Sequence, residues 1–493
     1  MLEHLKPFNL ITCADGYKIN HWLEAPEGDE YGYANMVPRK PSQYSTQIVS
    51  MGITLLSSIF ASTRITMEMI DEAEVEVTEQ GYTFNRKGWE RIVRELDGKI
   101  PLAIYGVEEG RIVNPQTPIV GIINTVPNFA WLVTYFETFS QALVWKMSTV
   151  ASVCRAMRLT LIEFCELTGT DTNNVNYMMV NFGDRGADGP HEAAVLAGIA
   201  HAALFDGSDC IRANGYIKKL YGTYKPSTSS IEASEHSVSC AHSDAENKDD
   251  WGAAVMVVDR LFAAVERYEQ GFPGLPFMSA VIDTYDSRRF VKEYLGTRLK
   301  DRILEAAARG GRLIARPDSS DMTIEPGLVG KDWEATFGVT INDKGYKVLH
   351  EAVGVIQGDG VKVDTVLEIC QGWVNAGFAM DNFCLGSGAG ITHFGSRDDF
   401  SFSFKSTANF RYGRYGKWVA TAKDPITDPG KKSLKGLVRC REDNNGELEV
   451  YDAITEGSIF SFLTESPGWR LWYKDGFREY RQSWDEVKSR ARS

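Results

Sequence analysis

The stretch Val353-Gly354-Val355-Ile356-Gln357-Gly358-Asp359-Gly360 is an apolar run too short for a helix, closed by a polar, glycine-rich turn. A strand buried on both faces of a parallel sheet has this pattern. Working outward, the pattern recurs at 175–182, 278–283, 313–318 and 383–390, with several runs ending in Asp, Gly or Ser. Helix-like segments lie between most of them, at 192–205, 251–268 and 287–309, and another precedes them at 149–167. Strand and helix in alternation predict βαβ units and a parallel sheet. The span of about 200 residues suits a barrel, a fold of roughly 250. Active sites of such barrels sit at the C-terminal strand ends. The polar residues closing these runs are therefore expected to converge on one face, which points to an enzyme.

Composition sets the outer limits. The chain has 493 residues, 43% hydrophobic and 24% charged, the balance of a globular protein with a sizeable core. Two domains are expected, one of them large. A net charge of -13 argues against a general nucleic-acid binder, which carries a basic face. The eight cysteines form no CxxC pair and are spread over the whole chain, so reduced thiols in a cytoplasmic protein are expected rather than a zinc site or a disulfide framework. Met1–Lys6 has no apolar signal core, and no apolar run approaches the roughly 20 residues that span a bilayer.

Several strand-end groups carry chemistry. In Asn181-Phe182-Gly183-Asp184-Arg185-Gly186, Phe182 suits stacking on a planar ring and Arg185 a bidentate grip on phosphate. A core Phe followed by a surface Arg is the plainer reading. In Ile231-Glu232-Ala233-Ser234-Glu235-His236-Ser237, a histidine beside a carboxylate can carry a proton or a phosphoryl group near neutral pH. Asp283-Thr284-Tyr285-Asp286 and Arg316-Pro317-Asp318-Ser319 place carboxylates and an arginine where a sugar could develop oxocarbenium character and an anion could leave. One such Asp alone would read as a helix cap. Gln357-Gly358-Asp359-Gly360 and Gly386-Ser387-Gly388-Ala389-Gly390 expose backbone N–H groups to anions. Asp359 is placed to bind ribose hydroxyls. Arg397, Lys405, Lys423 and Lys431 complete a cationic inventory adequate for a diphosphate and a 5-phosphate.

With Asp15-Gly16-Tyr17-Lys18 and His21, Gly207-Ser208-Asp209, Ser396-Arg397-Asp398 and Lys423-Asp424-Pro425 added in order, the chain resembles the nicotinamide phosphoribosyltransferases, a type II phosphoribosyltransferase family, over nearly its full length. Each piece alone is weak; their shared order is specific. The resemblance implies an irregular α/β barrel at 151–399 and a second, mixed α/β domain from both chain ends, 1–150 and 400–493. It implies transfer of phosphoribosyl from phosphoribosyl pyrophosphate to nicotinamide, with Mg2+, in a cytoplasmic homodimer with shared active sites. The pyridine ring would lie between Phe182 and the other subunit's Tyr17, with Arg185 and Arg316 beside it and Asp209 accepting the amide N–H. His236 would be phosphorylated by ATP, with Glu235 orienting it. Asp283 and Asp318 would hold ribose, pyrophosphate or magnesium. Gly358 and Asp359, Gly388, Ala389, Arg397, Arg39, Lys405, Lys423 and Lys431 would bind ribose or phosphate, and Asp15, Ser230, Ala233 and Ser279 would complete the site.

Two positions depart from the family pattern: Asp184 stands where an aromatic is usual, and Ala389 replaces a glycine. The stretch Val37-Pro38-Arg39-Lys40-Pro41 is also divergent. Three other activities compete. Nicotinate phosphoribosyl transfer is disfavoured by Asp209, a non-catalytic ligand-binding barrel by the retained charged groups, and a Schiff-base aldolase would need a barrel strand-end lysine, for which Lys405 is the candidate.

Overall fold

Seven parallel strands form the sheet that carries the strand-end groups: β1 Met179–Asn181, β2 Gly207–Ser208, β3 Glu232–Ala233, β4 Phe277–Val281, β5 Arg312–Arg316, β6 Val353–Gln357 and β7 Phe383–Ser387. In this computed structural model, which describes residues 9–187, 189, 192–393, 395–411, 416–428, 431–453 and 465–493, their order is β2-β1-β7-β6-β5-β4-β3. The curl returns on itself. Ser229 bridges Gly207 of β2 in parallel, and four residues on, Ala233 pairs with Ser279 of β4. β6 is buried along its whole length and β5 along its middle, as expected of strands covered on both faces. Helices Glu192–Leu204, Trp251–Glu269, Glu325–Phe337 and Val366–Asn375 alternate with the strands.

The sequence reading found the long strands and missed the short ones. β2 and β3 have two residues each, too few to show a periodicity. The expected strand at 175–182 is corrected to 179–181, because Thr172–Tyr177 forms a 3-10 helix capped by the Asp171 side chain. The expected helix at 149–167 is the last part of a helix that begins at Glu137 and ends at Thr168.

The chain divides into two compact units. The barrel unit comprises Val153–Tyr216 and Lys225–Phe394. The other runs to Ser152, takes up Ile217–Tyr224, and resumes at Gly395. The sequence boundaries at 150/151 and 399/400 therefore shift by a few residues, and 217–224 moves out of the barrel. A buried carboxylate accounts for that move: Glu109 accepts from the Tyr221 hydroxyl at 2.6 Å, the Gly52 N–H at 2.7 Å and the Gln482 amide at 2.9 Å. A seven-stranded antiparallel sheet centres this second unit, with Asp29–Val37 between Ser403–Arg411 and Val120–Asn124. Both chain ends thus share one sheet, and one core holds Phe60, Trp89, Phe404 and Trp472. The C-terminal segment supplies strands Ser403–Arg411 and Arg470–Lys474 to it. Met1–Lys6, Pro429 and Gly430 lie outside the described residues. Among the described residues, no helix is long and apolar enough to cross a membrane.

Candidate active site

Parallel strands deliver their C-terminal residues to one end of the sheet, and there the barrel unit gathers its chemistry. Phe182 follows β1, with its N–H donating to Ser387 of β7 at 3.1 Å. Its ring fits because position 386 is glycine: a Cβ there would stand 2.0 Å from the ring. The Arg316 guanidinium, at the end of β5, lies 6.0 Å from the ring centroid, within cation–π range. Asp209 follows β2; its N–H donates to Asn181 at 2.7 Å, and its carboxylate accepts from the Ser230 hydroxyl. Phe182, Asp209, Ser230, Ala233, Ser279 and Arg316 all line one cavity of about 850 Å³. The cavity continues through the sheet interior to Tyr177, Val348 and Asn382 at the opposite end.

A charged cluster adjoins it through Arg316. The imidazole of His236 opens the helix His236–Ala241, and its Nε2 lies 3.1 Å from Asp283 Oδ1. Its Nδ1 is 3.8 Å from Asp318 Oδ2, which is itself 3.7 Å from the Arg316 guanidinium. The second Asp283 oxygen accepts the Asp318 N–H at 2.9 Å and the Ser319 hydroxyl. Both oxygens of Asp283 are therefore engaged within the protein, which suits holding an imidazole more than holding a sugar. The expected partner of His236 is corrected as well. Asp283 and Asp318 face its ring, while Glu235 accepts from the Ser237 hydroxyl. Adjacent residues diverge at a strand-to-helix turn, so neighbours in sequence need not meet.

The glycine-rich loops divide by role. A Cβ at Gly358 would lie 3.3 Å from Arg316 Cδ and 3.3 Å from Asp318 Oδ1, so this glycine lets the β6 loop lie against both. Asp359 next to it is exposed. Gly183 packs on the Gly388 carbonyl, and Gly186 on Ala389, which brings the Arg185 loop against the β7 loop. Gly390 packs against the Val361 carbonyl, leaving Gly388 and exposed Ala389 as the open part of that loop. Arg185 is also exposed. The departure at Asp184 engages Cys210: burial first, with a bond to Asp184 adding to it, pushes that thiol up to about 12.

The remaining expected residues belong to the other unit. Asp15 exchanges hydrogen bonds with Thr138, and Tyr17 beside it is 58% exposed. Arg39 donates to the Ser401 carbonyl at 3.1 Å. Arg397 pairs with Asp398 at 3.0 Å and Lys431 with Asp428 at 3.1 Å, both at the surface, and Lys423 is exposed. Lys405 lies on the antiparallel strand Ser403–Arg411, not on a barrel strand, which removes the Schiff-base aldolase reading. Among the described residues, no group of three His, Cys, Asp or Glu is arranged to hold a metal ion. Asp318 Oδ1 takes no hydrogen bond among the described residues. One carboxylate suits Mg2+ that arrives on substrate phosphates, since that ion keeps most of its other ligands as water and phosphate.

A model of the nicotinate phosphoribosyltransferase (NAPRTase) family matches residues 177–454, the stretch that holds Phe182, Asp209, His236, Asp283, Arg316 and Asp318. The chain belongs to the nicotinate phosphoribosyltransferase family. Residues 9–104 match the nicotinamide phosphoribosyltransferase N-terminal domain. A nicotinamide phosphoribosyltransferase of Acinetobacter baylyi is 31% identical over 473 residues, 89% of each chain. One of Xanthomonas campestris pv. campestris is 32% identical over 438 residues, 88% of each. The fold is that of nicotinate-nucleotide pyrophosphorylase from Pyrococcus furiosus, at TM-score 0.56 and 13% identity over 98% of this chain and 95% of that one. It is also that of human nicotinic acid phosphoribosyltransferase, at TM-score 0.54 and 15% identity over 97% and 92%.

For this family member, sequence reasoning missed two participants. Gly386 was read as part of an anion loop, whereas it makes room for the Phe182 ring. Ser319 went unassigned, although its hydroxyl holds Asp283. The serine is visible in Arg316-Pro317-Asp318-Ser319; its target, 36 positions away, is not.

Proposed function

We propose that this chain is a nicotinamide phosphoribosyltransferase of NAD salvage. The pyridine nitrogen of nicotinamide bonds to the anomeric carbon of phosphoribosyl pyrophosphate as that carbon's bond to pyrophosphate breaks, giving nicotinamide mononucleotide and pyrophosphate. The observation that carries this reading is the common cavity of Phe182, Arg316 and Asp209. An aromatic face and a guanidinium suit a flat pyridine, and a carboxylate suits an amide N–H. Ser230 occupies one oxygen of Asp209, leaving the other to accept from the carboxamide. A nicotinate carboxylate about 4 Å from Asp209 would be repelled by about 4 kcal/mol at an effective dielectric of about 20, so the amide is preferred.

In the same reading, Arg185, Asp359, Gly388 and Ala389 meet ribose and the 5-phosphate, and Arg316 and Asp318 face the pyrophosphate. Mg2+, held by Asp318 and the substrate phosphates, would neutralise the leaving group. The Asp283–His236 pair supports His236 as a phosphoryl acceptor from ATP, with ADP leaving. Tyr17 of a second copy would close the pyridine site against Phe182, with Arg39, Arg397, Lys405, Lys423 and Lys431 supplying charge to phosphates. Its exposed ring supports a stacking role.

The test is incubation with nicotinamide or nicotinate, phosphoribosyl pyrophosphate and Mg2+, with and without ATP, and product identification by mass spectrometry. Nicotinamide mononucleotide is expected, and more of it with ATP. Its absence from every mixture would refute the activity. His236→Ala is expected to keep slow basal transfer and lose the ATP stimulation; a full ATP response in that variant would remove His236 as phosphoryl acceptor.

A further inference from the structure

Tyr17 is an exposed aromatic on a helix of only four residues, Gly16–Ile19. So short a helix has almost no stability of its own. Its position is nonetheless fixed from several sides. Behind it, Gly16 lies so close to Tyr82 that a Cβ would stand 2.5 Å from that ring. At its start, the Asp15 N–H donates to the Thr138 hydroxyl at 3.2 Å, and that hydroxyl donates back to the Asp15 carboxylate at 2.8 Å. At Lys18, a nearly buried ammonium pairs with the carboxylate of Glu137. The ammonium also lies 5.5 Å from the Tyr17 ring centroid. The other Glu137 oxygen lies 3.9 Å from the Lys405 ammonium.

We propose that Glu137 and Thr138 are positioning residues that lock the Tyr17 turn and Lys405 into one arrangement, so that ring and ammonium are presented to substrate together. This rests on the reading above, in which Tyr17 stacks on the pyridine and Lys405 meets phosphate. A carboxylate in the first turn of a helix also offsets the helix dipole. That role alone would need neither Lys18 nor Lys405, and Thr138 would have no part in it.

The arrangement has an electrostatic consequence. Burial lowers the pKa of Lys405, Glu137 raises it, and the neighbouring cations Lys18, Arg39 and Lys423 lower it further. Glu137 is thus the one group among these that favours the charged ammonium. Without it, Lys405 loses its proton at lower pH.

The experiment compares Glu137→Gln, Glu137→Asp and Thr138→Val with the wild type, reading KM for each substrate, kcat, and the pH dependence of kcat/KM for phosphoribosyl pyrophosphate. Glu137→Gln is expected to raise both KM values by about tenfold, the equivalent of one lost charged hydrogen bond, with kcat within about twofold. The alkaline fall in kcat/KM should move to lower pH, and Glu137→Asp should restore part of both changes. Thr138→Val should raise the nicotinamide KM alone. A folded Glu137→Gln protein with wild-type KM values and pH profile overturns the proposal. If that variant does not fold, Thr138→Val decides: a selective nicotinamide effect supports the proposal and unchanged KM values overturn it. No mononucleotide from the wild type would instead sink the activity itself, and the proposal with it.

Discussion

The two units hold their functional side chains in different ways. In the barrel unit, Phe182, Asp209, Asp283 and Arg316 stand at or just beyond strand ends, anchored by backbone hydrogen bonds or by one another. In the antiparallel unit, Arg397, Lys423 and Lys431 are exposed on loops, and the ion pairs Arg397–Asp398 and Lys431–Asp428 join near neighbours in sequence. A reaction centre needs fixed geometry, because misplacement of about 1 Å can cost about a hundredfold in rate. Phosphates need positive charge nearby, which exposed lysines supply at little structural cost. On the proposed activity, the comparison teaches that strand ends would fix where the reaction occurs, while the surface loops would tune how strongly an anionic substrate is drawn in.

Substitutions can break this contrast. The largest effect is expected at Arg316, which touches both the cavity and the charged cluster. Arg316→Ala should lower kcat/KM by about a thousandfold, the scale of losing a preorganised donor at developing charge. Arg316→Lys should recover little, since a point charge replaces a planar fork. Steady-state kinetics on purified protein decide this, and a loss under about tenfold would contradict the placement of Arg316 at the reacting centre.

An intermediate effect is expected at Asp209. Asp209→Ser should let nicotinate compete, reducing the nicotinamide preference by about a hundredfold, which is somewhat less than the full repulsion because solvent screens part of it. Paired kcat/KM values for the two substrates measure it; an unchanged ratio would show that selection lies elsewhere.

The smallest effect belongs to the other side of the comparison. Lys431→Ala should raise the KM for phosphoribosyl pyrophosphate about threefold with kcat intact, an effect that fades with added salt, as for any exposed charge. A large, salt-independent loss would mean that Lys431 is as firmly built into the site as Arg316.

The legibility of the sequence followed physical range. Apolar runs such as 353–357 and 313–316 announced the parallel strands, because burial on both faces leaves a local mark. The groups after them, Asp318 and Asp359 among them, could be named from position alone. Pairing could not be. Glu235 lies next to His236 in sequence and turns away, while Asp283, 47 residues on, meets the ring. Likewise Glu137, 119 residues from Lys18, carried no motif to mark it. The grouping of segment 217–224 with the second unit was hidden for the same reason, since Tyr221 bonds to Glu109, 112 positions away.

Residue order alone therefore determined the βα alternation, the family, and the kinds of group available at each strand end, because periodicity and turn chemistry act over a few residues. Only the tertiary structure decided which carboxylate faces the imidazole, that Gly386 makes room for an aromatic ring, and that residues 137 and 138 fasten the turn bearing Tyr17. Those outcomes depend on close approach between distant parts of the chain, and close packing selects partners by shape and distance rather than by neighbourhood in sequence.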